Sequence, residues 1–197
     1  MFFVSKSLTV AALFVLTTVT FDPAQAGTCA AQGFINTVSK QMLSAGKSRS
    51  ASAFRSLINS HADVAGISAF ALGKYKRAVN PADRRALQKE IVNFMAKTMA
   101  GYGRKFKGDR VAIERCTKSG GFLQVNSKLV QPNRRTQKFV WKLSGSGNYK
   151  IRDLNVQGIW LSQLMRSSFT KAIKKGGGDI SALYAFLGVR EKHVDRK

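Results

Sequence analysis

The spacing of apolar residues changes from a helical period to a strand period partway along the chain, and this change most constrains the fold. Over residues 109–156, apolar and polar residues alternate in four runs, with turns at Gly120-Gly121 and at residues 144–148 (SGSGN). Alternation with a period of two predicts antiparallel strands with one apolar and one polar face. Because an apolar sheet face must be covered, the sequence predicts an α+β fold in which amphipathic helices wrap a four-stranded antiparallel sheet.

Helical spacing precedes the alternating segment. Apolar residues at three- and four-residue steps predict a helix over residues 29–46 and two shorter helices, one around Phe54 and one around Phe70. The best-defined helix begins at residues 80–83 (NPAD), where an N-cap, a first-turn proline and an acid follow one another. It is expected to run for about six turns to Gly101. We expect this long helix to cover the apolar face of the sheet.

Two further helices are predicted after the sheet. The first begins after Gly158 and ends at the glycines 176–178. Asp179 then caps a short helix that stops at Gly188. The charged residues 189–197 are predicted to form a flexible tail.

The first 26 residues have the order of a removable signal peptide. Lys6 precedes an apolar stretch over residues 8–21, and residues 24–26 (AQA) supply the small side chains that a signal peptidase accepts. An uncleaved N-terminal anchor is the alternative, although the stretch is short for a membrane span. The sequence therefore predicts an exported protein with a signal peptide (1–26), one domain (27–188) and a tail (189–197).

The chain has two cysteines, Cys29 and Cys116. In an oxidising compartment we expect them to form a disulfide that ties the first helix to a strand. Two separate buried thiols are the alternative.

The formal net charge is +23. In a cytoplasmic protein this charge would suggest nucleic acid as a partner, but the predicted export argues against it, and the basic residues are spread over several segments. Tighter clusters occur at residues 104–107, at Arg134-Arg135 and at Lys174-Lys175. Solvated surface accounts for most of them, and attraction to anionic lipid head groups is the sharper alternative, at about 1 kcal/mol per basic residue.

The sequence holds no pattern typical of catalysis or cofactor binding. Two histidines are far apart, no cysteine or histidine cluster has metal-ligand spacing, and no glycine-rich loop has a phosphate-binding arrangement. Asp153 is a candidate general base inside an α+β pocket, but we favour a structural acid that pairs with an arginine or with backbone amides. The sequence therefore predicts a protein that is not an enzyme and has no cofactor or metal.

Four stretches, in order, resemble those of one family. They are residues 72–84 (LGKYKRAVNPADR), 149–159 (YKIRDLNVQGI), 166–169 (RSSF) and 178–183 (GDISAL). The chain resembles the MlaC family, also called the toluene-tolerance auxiliary family, over about residues 30–188. Two positions depart from the family pattern, Trp160 and Met165.

The resemblance implies a fold and a function. The implied fold is a cone similar to nuclear transport factor 2, with an apolar pocket between sheet and helices. The implied function is that of a periplasmic carrier, which moves phospholipids between an outer-membrane lipoprotein complex and an inner-membrane ABC transporter complex. Its ligand is a lipid, and anionic membrane surfaces are expected partners. Because the chain is unusually basic, a carrier of hopanoids or other polycyclic lipids is an alternative.

The expected pocket walls combine inward-facing residues of the sheet with residues of the covering helices. If Leu154 and Val156 point inward, strand alternation turns Asp153 outward. Arg166 is expected to contact a lipid head group or a partner protein. The predicted wall residues are Leu72, Tyr75, Phe94, Met95, Met99, Tyr102, Leu123, Val125, Leu129, Phe139, Trp141, Leu154, Val156, Leu161, Leu164 and Met165.

Two other classes of function remain open on the sequence. An enzyme is favoured by a cavity smaller than about 300 Å³ that Asp153 enters. A basic module that binds anionic surfaces without an internal ligand is favoured by a fully packed interior.

Overall fold

A computed structural model describes residues 29–103, 108, 110–132 and 135–189. The predicted signal peptide, the basic cluster at 104–107, Arg134 and residues 190–197 of the tail lie outside this part of the chain. The helices are α1 (Gln32–Ser48), α2 (Ala51–His61), α3 (Val64–Leu72), α4 (Arg84–Gly101), α5 (Leu161–Lys175) and α6 (Ser181–Leu187), with a 3-10 turn at Gly73–Arg77. The strands are β1 (Arg110–Ser119), β2 (Phe122–Val130), β3 (Thr136–Ser144), β4 (Lys150–Val156) and β5 (Ile159–Trp160).

The described strands form one antiparallel sheet in the order β1-β2-β3-β4-β5. The α+β class and the four long strands are confirmed, but the sheet has five strands because β5 pairs with the end of β4. The turn between them consists of Gln157 and Gly158, with φ angles of 53° and 90°. Positive φ at both central residues is the geometry of a tight hairpin turn. A two-residue strand is too short to produce a visible alternation, so the sequence did not predict it.

A bulge in β1 changes which residues face the core. Ile113 pairs with Ser127, but Arg115 pairs with Asn126, so Glu114 is an extra residue on this strand. The insertion reverses the alternation beyond it. Cys116 therefore lies opposite Val125, a fully buried residue, and faces inward together with Ile113.

A second bulge lies in β4. Lys142 pairs with Asp153 while Leu143 pairs with Ile151, so Arg152 has no opposite residue. Ile151 and Leu154 are consequently both buried, although simple alternation places them on opposite faces. The bulge frees Arg152 to reach the beginning of α3, where its guanidinium binds the Asp63 carboxylate.

The long helix begins later than the sequence predicts. Residues 80–83 form a turn in which the Asn80 side chain accepts a hydrogen bond from the Ala82 amide at 2.9 Å. Asp83 is fully buried, and its carbonyl accepts the first helical bond from Leu87. Helix α4 therefore has 18 residues, or about five turns.

Two groups of buried side chains make the core. One lies between the inner face of the sheet and helices α1, α2 and α4, so α4 shares the cover of the sheet with the first two helices. The other lies among α3, α4, α5 and α6. Ala62 and Met95 pack against both groups. Among the described helices, none is long and apolar enough to cross a membrane.

Cys29 and Cys116 are joined by a disulfide, with their Cα atoms 5.6 Å apart. The bridge connects the start of α1 to β1 across 87 residues of sequence. Since the bulge at Glu114 turns Cys116 inward, the strand geometry and the bridge depend on each other.

Replacing both cysteines with serine is expected to lower the free energy of unfolding by about 3 to 4 kcal/mol, because closing a long loop removes entropy from the unfolded chain. Urea denaturation of the wild type and of the double variant, each with and without reductant, measures the difference. Reductant should destabilise the wild type and leave the double variant unchanged; equal stability of the oxidised wild type and the variant would contradict the prediction.

Candidate functional site

A cavity of about 380 Å³ lies between the end of β4 and helices α4 and α5. We call it the outer cavity. Most of its wall is apolar, with aromatic and methionine side chains from α4 and aliphatic ones from α5. The residues that line it are Phe94, Met95, Thr98, Met99, Tyr102, Gln137, Val156, Gln157, Ile159, Leu161, Leu164, Met165 and Ser168.

A second cavity of about 50 Å³, the inner cavity, lies deeper in the molecule. Four residues line both cavities, namely Met95, Met99, Leu161 and Met165. The two cavities are therefore neighbours. The residues that line the inner cavity alone are Met42, Leu57, Ile58, Ala62, Ile67, Trp141, Ile151, Asp153 and Leu154.

The structure brings ten of the sixteen predicted wall residues to the two cavities. Eight line the outer cavity, and Trp141 and Leu154 line the inner one. The other six line neither: four of them are buried in the core, and Tyr75 and Leu123 are half-buried and pack against it. These six are Leu72, Tyr75, Leu123, Val125, Leu129 and Phe139.

Polar residues of the outer cavity were not predicted from the sequence. They are Thr98, Gln137, Gln157 and Ser168. Thr98 and Ser168 carry small hydroxyls on amphipathic helices, and Gln137 begins an alternating strand, where an amide is typical of the solvent side. Gln137 is nevertheless buried. The inward position of residue 137 in β3 was the one available indication, since Phe139 and Trp141 follow it with a period of two.

Several apolar side chains at the outer cavity are exposed to solvent. Tyr102, Ile159 and Leu164 line the cavity and are 47%, 59% and 41% exposed. They form an apolar rim around an opening. Phe186 is also exposed, and its ring lies 5.8 Å from that of Phe94 in the cavity wall.

Asp153 lines the inner cavity, but its carboxylate is occupied by hydrogen bonds. One oxygen accepts from the Leu154 amide at 2.9 Å and from the Ser162 amide at 3.1 Å, and the other accepts from the Ser162 hydroxyl. Ser162 is in the first turn of α5, so Asp153 supplies the N-terminal cap that this helix lacks in its own sequence. The contact fixes α5 to β4 and thereby sets the position of one cavity wall.

Asp63 performs a similar role for α3. Its carboxylate accepts from the Gly66 amide at 2.9 Å and binds Arg152. The guanidinium occupies the space above Gly66, where an added Cβ would lie 1.2 Å from Nη1. Burial raises the pKa of Asp63, but the Gly66 amide and Arg152 together lower it, and the net pKa lies below the usual value. Burial and, secondarily, the Lys150 charge lower the pKa of His61.

Arg166 lies on the side of α5 that faces away from the outer cavity. Its guanidinium stacks over the Phe70 ring at 5.1 Å and lies against Gly73, which has a φ of 55°. With Lys171, Lys174 and Lys175 it lines an open surface groove. Of the two positions that depart from the family pattern, Met165 lines both cavities, whereas the Trp160 ring lies near the Lys142 ammonium, at 5.7 Å.

Within the part of the chain that the structure describes, no group of three histidine, cysteine, aspartate or glutamate side chains is placed to hold a metal ion. The arrangement instead offers an apolar space with an exposed apolar rim and four neutral polar side chains in its wall. Such a space can shield an apolar ligand from water.

Comparisons with known proteins bear on the family and on the fold. The model of the MlaC protein family matches residues 30–188. The fold is similar to that of a phospholipid-binding protein from Ralstonia solanacearum, solved in complex with a phospholipid, with a TM-score of 0.67. The two are 20% identical, and the match covers 80% of this chain and 94% of that chain. No curated protein matches the sequence.

Replacing Asp153 with alanine should lower the free energy of unfolding by about 1 kcal/mol, because the first turn of α5 loses its cap. A double-mutant cycle with Ser162→Ala, measured by urea denaturation, tests whether the two side chains act together. We expect the double variant to be less destabilised than the sum of the single ones. Strictly additive losses would show that the bond between the Ser162 hydroxyl and the Asp153 carboxylate does not contribute, and an Asp153→Ala variant as stable as the wild type would show that the cap does not.

The Asp63–Arg152 pair should make stability depend on pH. Because the folded pKa of Asp63 is depressed, its contribution is present above the unfolded pKa, near 3.8, and is lost as the pH falls below that value through the folded pKa. Asp63→Asn keeps a capping acceptor and removes the charge, so it should be less stable than the wild type by about 1 kcal/mol at neutral pH. Thermal unfolding from neutral to strongly acidic pH should show this gap closing; a constant gap would contradict the assignment.

Proposed function

This chain belongs to the MlaC family, and from that premise we propose that it is a periplasmic carrier of phospholipids. In this proposal it takes lipids between an outer-membrane lipoprotein complex and an inner-membrane ABC transporter complex. The observation that carries the proposal is the outer cavity, an apolar space of about 380 Å³ with an exposed apolar rim. The relative from Ralstonia solanacearum, which was solved with a phospholipid, supports the ligand class. The cone shape implied by the family resemblance stays a prediction.

The size of the outer cavity suits one acyl chain. A water molecule takes about 30 Å³ in the liquid and a methylene is of similar size, so the cavity has room for about a dozen methylenes. Burying that many contributes about 10 kcal/mol before the costs of association. We propose that one chain of the lipid is held inside and that the second lies along the rim of Tyr102, Ile159 and Leu164.

The head group is proposed to stay at the opening. The polar side chains in the wall of the outer cavity, Thr98, Gln137, Gln157 and Ser168, are all neutral and donate or accept hydrogen bonds. They can bind ester and glycerol oxygens without selecting a charge. Weak discrimination between head groups follows.

Arg166 is better placed for a partner than for the head group of a lipid in the outer cavity. Its groove carries four basic side chains on the far side of α5. A groove of this charge favours an acidic protein surface or an anionic membrane surface. We therefore keep the partner contact as its proposed role.

The two rival functions have less support. The outer cavity is larger than the roughly 300 Å³ below which an enzyme is favoured, and Asp153 does not line it. Asp153 does line the inner cavity, but its carboxylate serves as a helix cap. A purely surface-binding module has no use for two apolar cavities. A polycyclic lipid is an alternative ligand that the experiment below distinguishes by mass.

Protein purified from the periplasm without detergent should carry lipid, identified by native mass spectrometry and by analysis of the extract. Ser168→Phe fills the outer cavity from α5 and should abolish that lipid. Gln163→Phe places the same side chain at an exposed position of α5 that lines neither cavity and lies outside the surface groove, and is the matched control.

The expected result is lipid on the wild type and on Gln163→Phe, and about a tenfold or greater loss on Ser168→Phe, since several buried methylenes are displaced. Wild type that carries no lipid, and takes none from labelled liposomes, would refute the proposal. Equal lipid on both variants would place the ligand elsewhere.

A further inference from the structure

The two cavities are separated by side chains that change shape easily. Three of the four residues that line both cavities are methionines, on α4 and α5. Met42 lines the inner cavity as well, so every methionine in the described part of the chain touches a cavity. Methionine has three rotatable bonds and fills irregular spaces, and its enrichment at one place favours a deformable wall.

The inner cavity is suited to the end of an acyl chain. Its wall is apolar except for Asp153, whose carboxylate accepts hydrogen bonds from Ser162 and Leu154. Trp141 donates its indole N–H to the Ser127 hydroxyl at 2.9 Å, and this bond satisfies its polar atom. A terminal methyl group can therefore enter without leaving a buried polar group unpaired.

The volumes fit one long chain. At about 30 Å³ for each methylene-sized unit, the outer cavity holds about a dozen units and the inner cavity adds about two. An acyl chain that also enters the inner cavity can thus bury about two more carbons than one that fills only the outer cavity.

We propose that the inner cavity is the terminal subsite of an acyl-chain ruler, and that Met95, Met99 and Met165 form the gate that a long chain moves aside to enter it. This inference rests on the proposed function and adds to it the length of chain that is preferred. Short chains fill the outer cavity and leave the methionines where they are. Long chains reach the gate and gain the extra burial behind it.

The test uses lysophosphatidylglycerols with lauroyl, myristoyl, palmitoyl and stearoyl chains, each below its micelle concentration. Because the head group is constant, affinity reports the chain. For the wild type we expect about a fourfold gain for each added carbon until the ruler is full, and little gain beyond it.

Ala62 lines the inner cavity and not the outer one. Ala62→Leu fills part of the inner cavity and should stop the gain about two carbons earlier, with about a fifteenfold loss for the palmitoyl chain and no loss for the lauroyl chain. Ala65→Leu, three residues away on the exposed side of α3, is the matched control. The triple variant Met95→Leu, Met99→Leu and Met165→Leu conserves volume and stiffens the gate, so it should also stop the gain early.

Three results decide the matter. Early saturation in Ala62→Leu and in the triple variant supports the ruler. Unchanged chain dependence in both, with lipid still bound, overturns the ruler and leaves the carrier function standing. Wild type that binds none of the four probes overturns the carrier function itself. If Ala62→Leu fails to fold, as thermal unfolding will show, the triple variant alone decides.

Discussion

The apolar inner face of the sheet has to be kept from water, and the helices do this unevenly. Over Val125, Leu129 and Phe139, helices α1 and α2 close completely and a dry core results. Toward β4 the closure is incomplete and two cavities remain, the outer one between β4, α4 and α5 and the inner one where α1, α2 and α3 also contribute to the wall. The same requirement that builds the fold therefore also builds the candidate site, and no specialised loop is needed to form it.

Two strand irregularities connect the sheet to the helices. The bulge at Glu114 turns Cys116 inward toward Cys29, and the bulge at Arg152 brings a guanidinium to the cap of α3. Asp153, next in sequence to Arg152, caps α5. Three neighbouring residues of β4, 151–153, thus contact the segment after α2, the start of α3 and the start of α5. The position of the helices over the sheet is set largely from this one strand segment.

The sequence predicts periodic features well and interruptions of period poorly. The four long strands and the helical order follow from alternation and from three- and four-residue spacing, and the apolar positions of α4 and α5 gave most of the outer cavity wall. The bulges could not be predicted, because the extra residue in each strand has no characteristic residue type that would distinguish it from its neighbours. Leu123, Phe139 and Val156 occupy equivalent inward-facing positions in the alternating pattern. The distance to the covering helix decides that Val156 alone of the three lines a cavity. Gln137 was missed because its type is typical of the solvent face.

The two core groups meet at Ala62 and Met95, beside the cavities. A lipid in the outer cavity would contact Met95, where the two core groups meet, and would therefore add to the packing of the interior. In the proposed function, the loaded and the empty protein differ in how tightly the two core groups are held together. Bound lipid would then lower the frequency of local opening, and a protease or a docking partner that depends on such opening could distinguish the two forms without a separate switch.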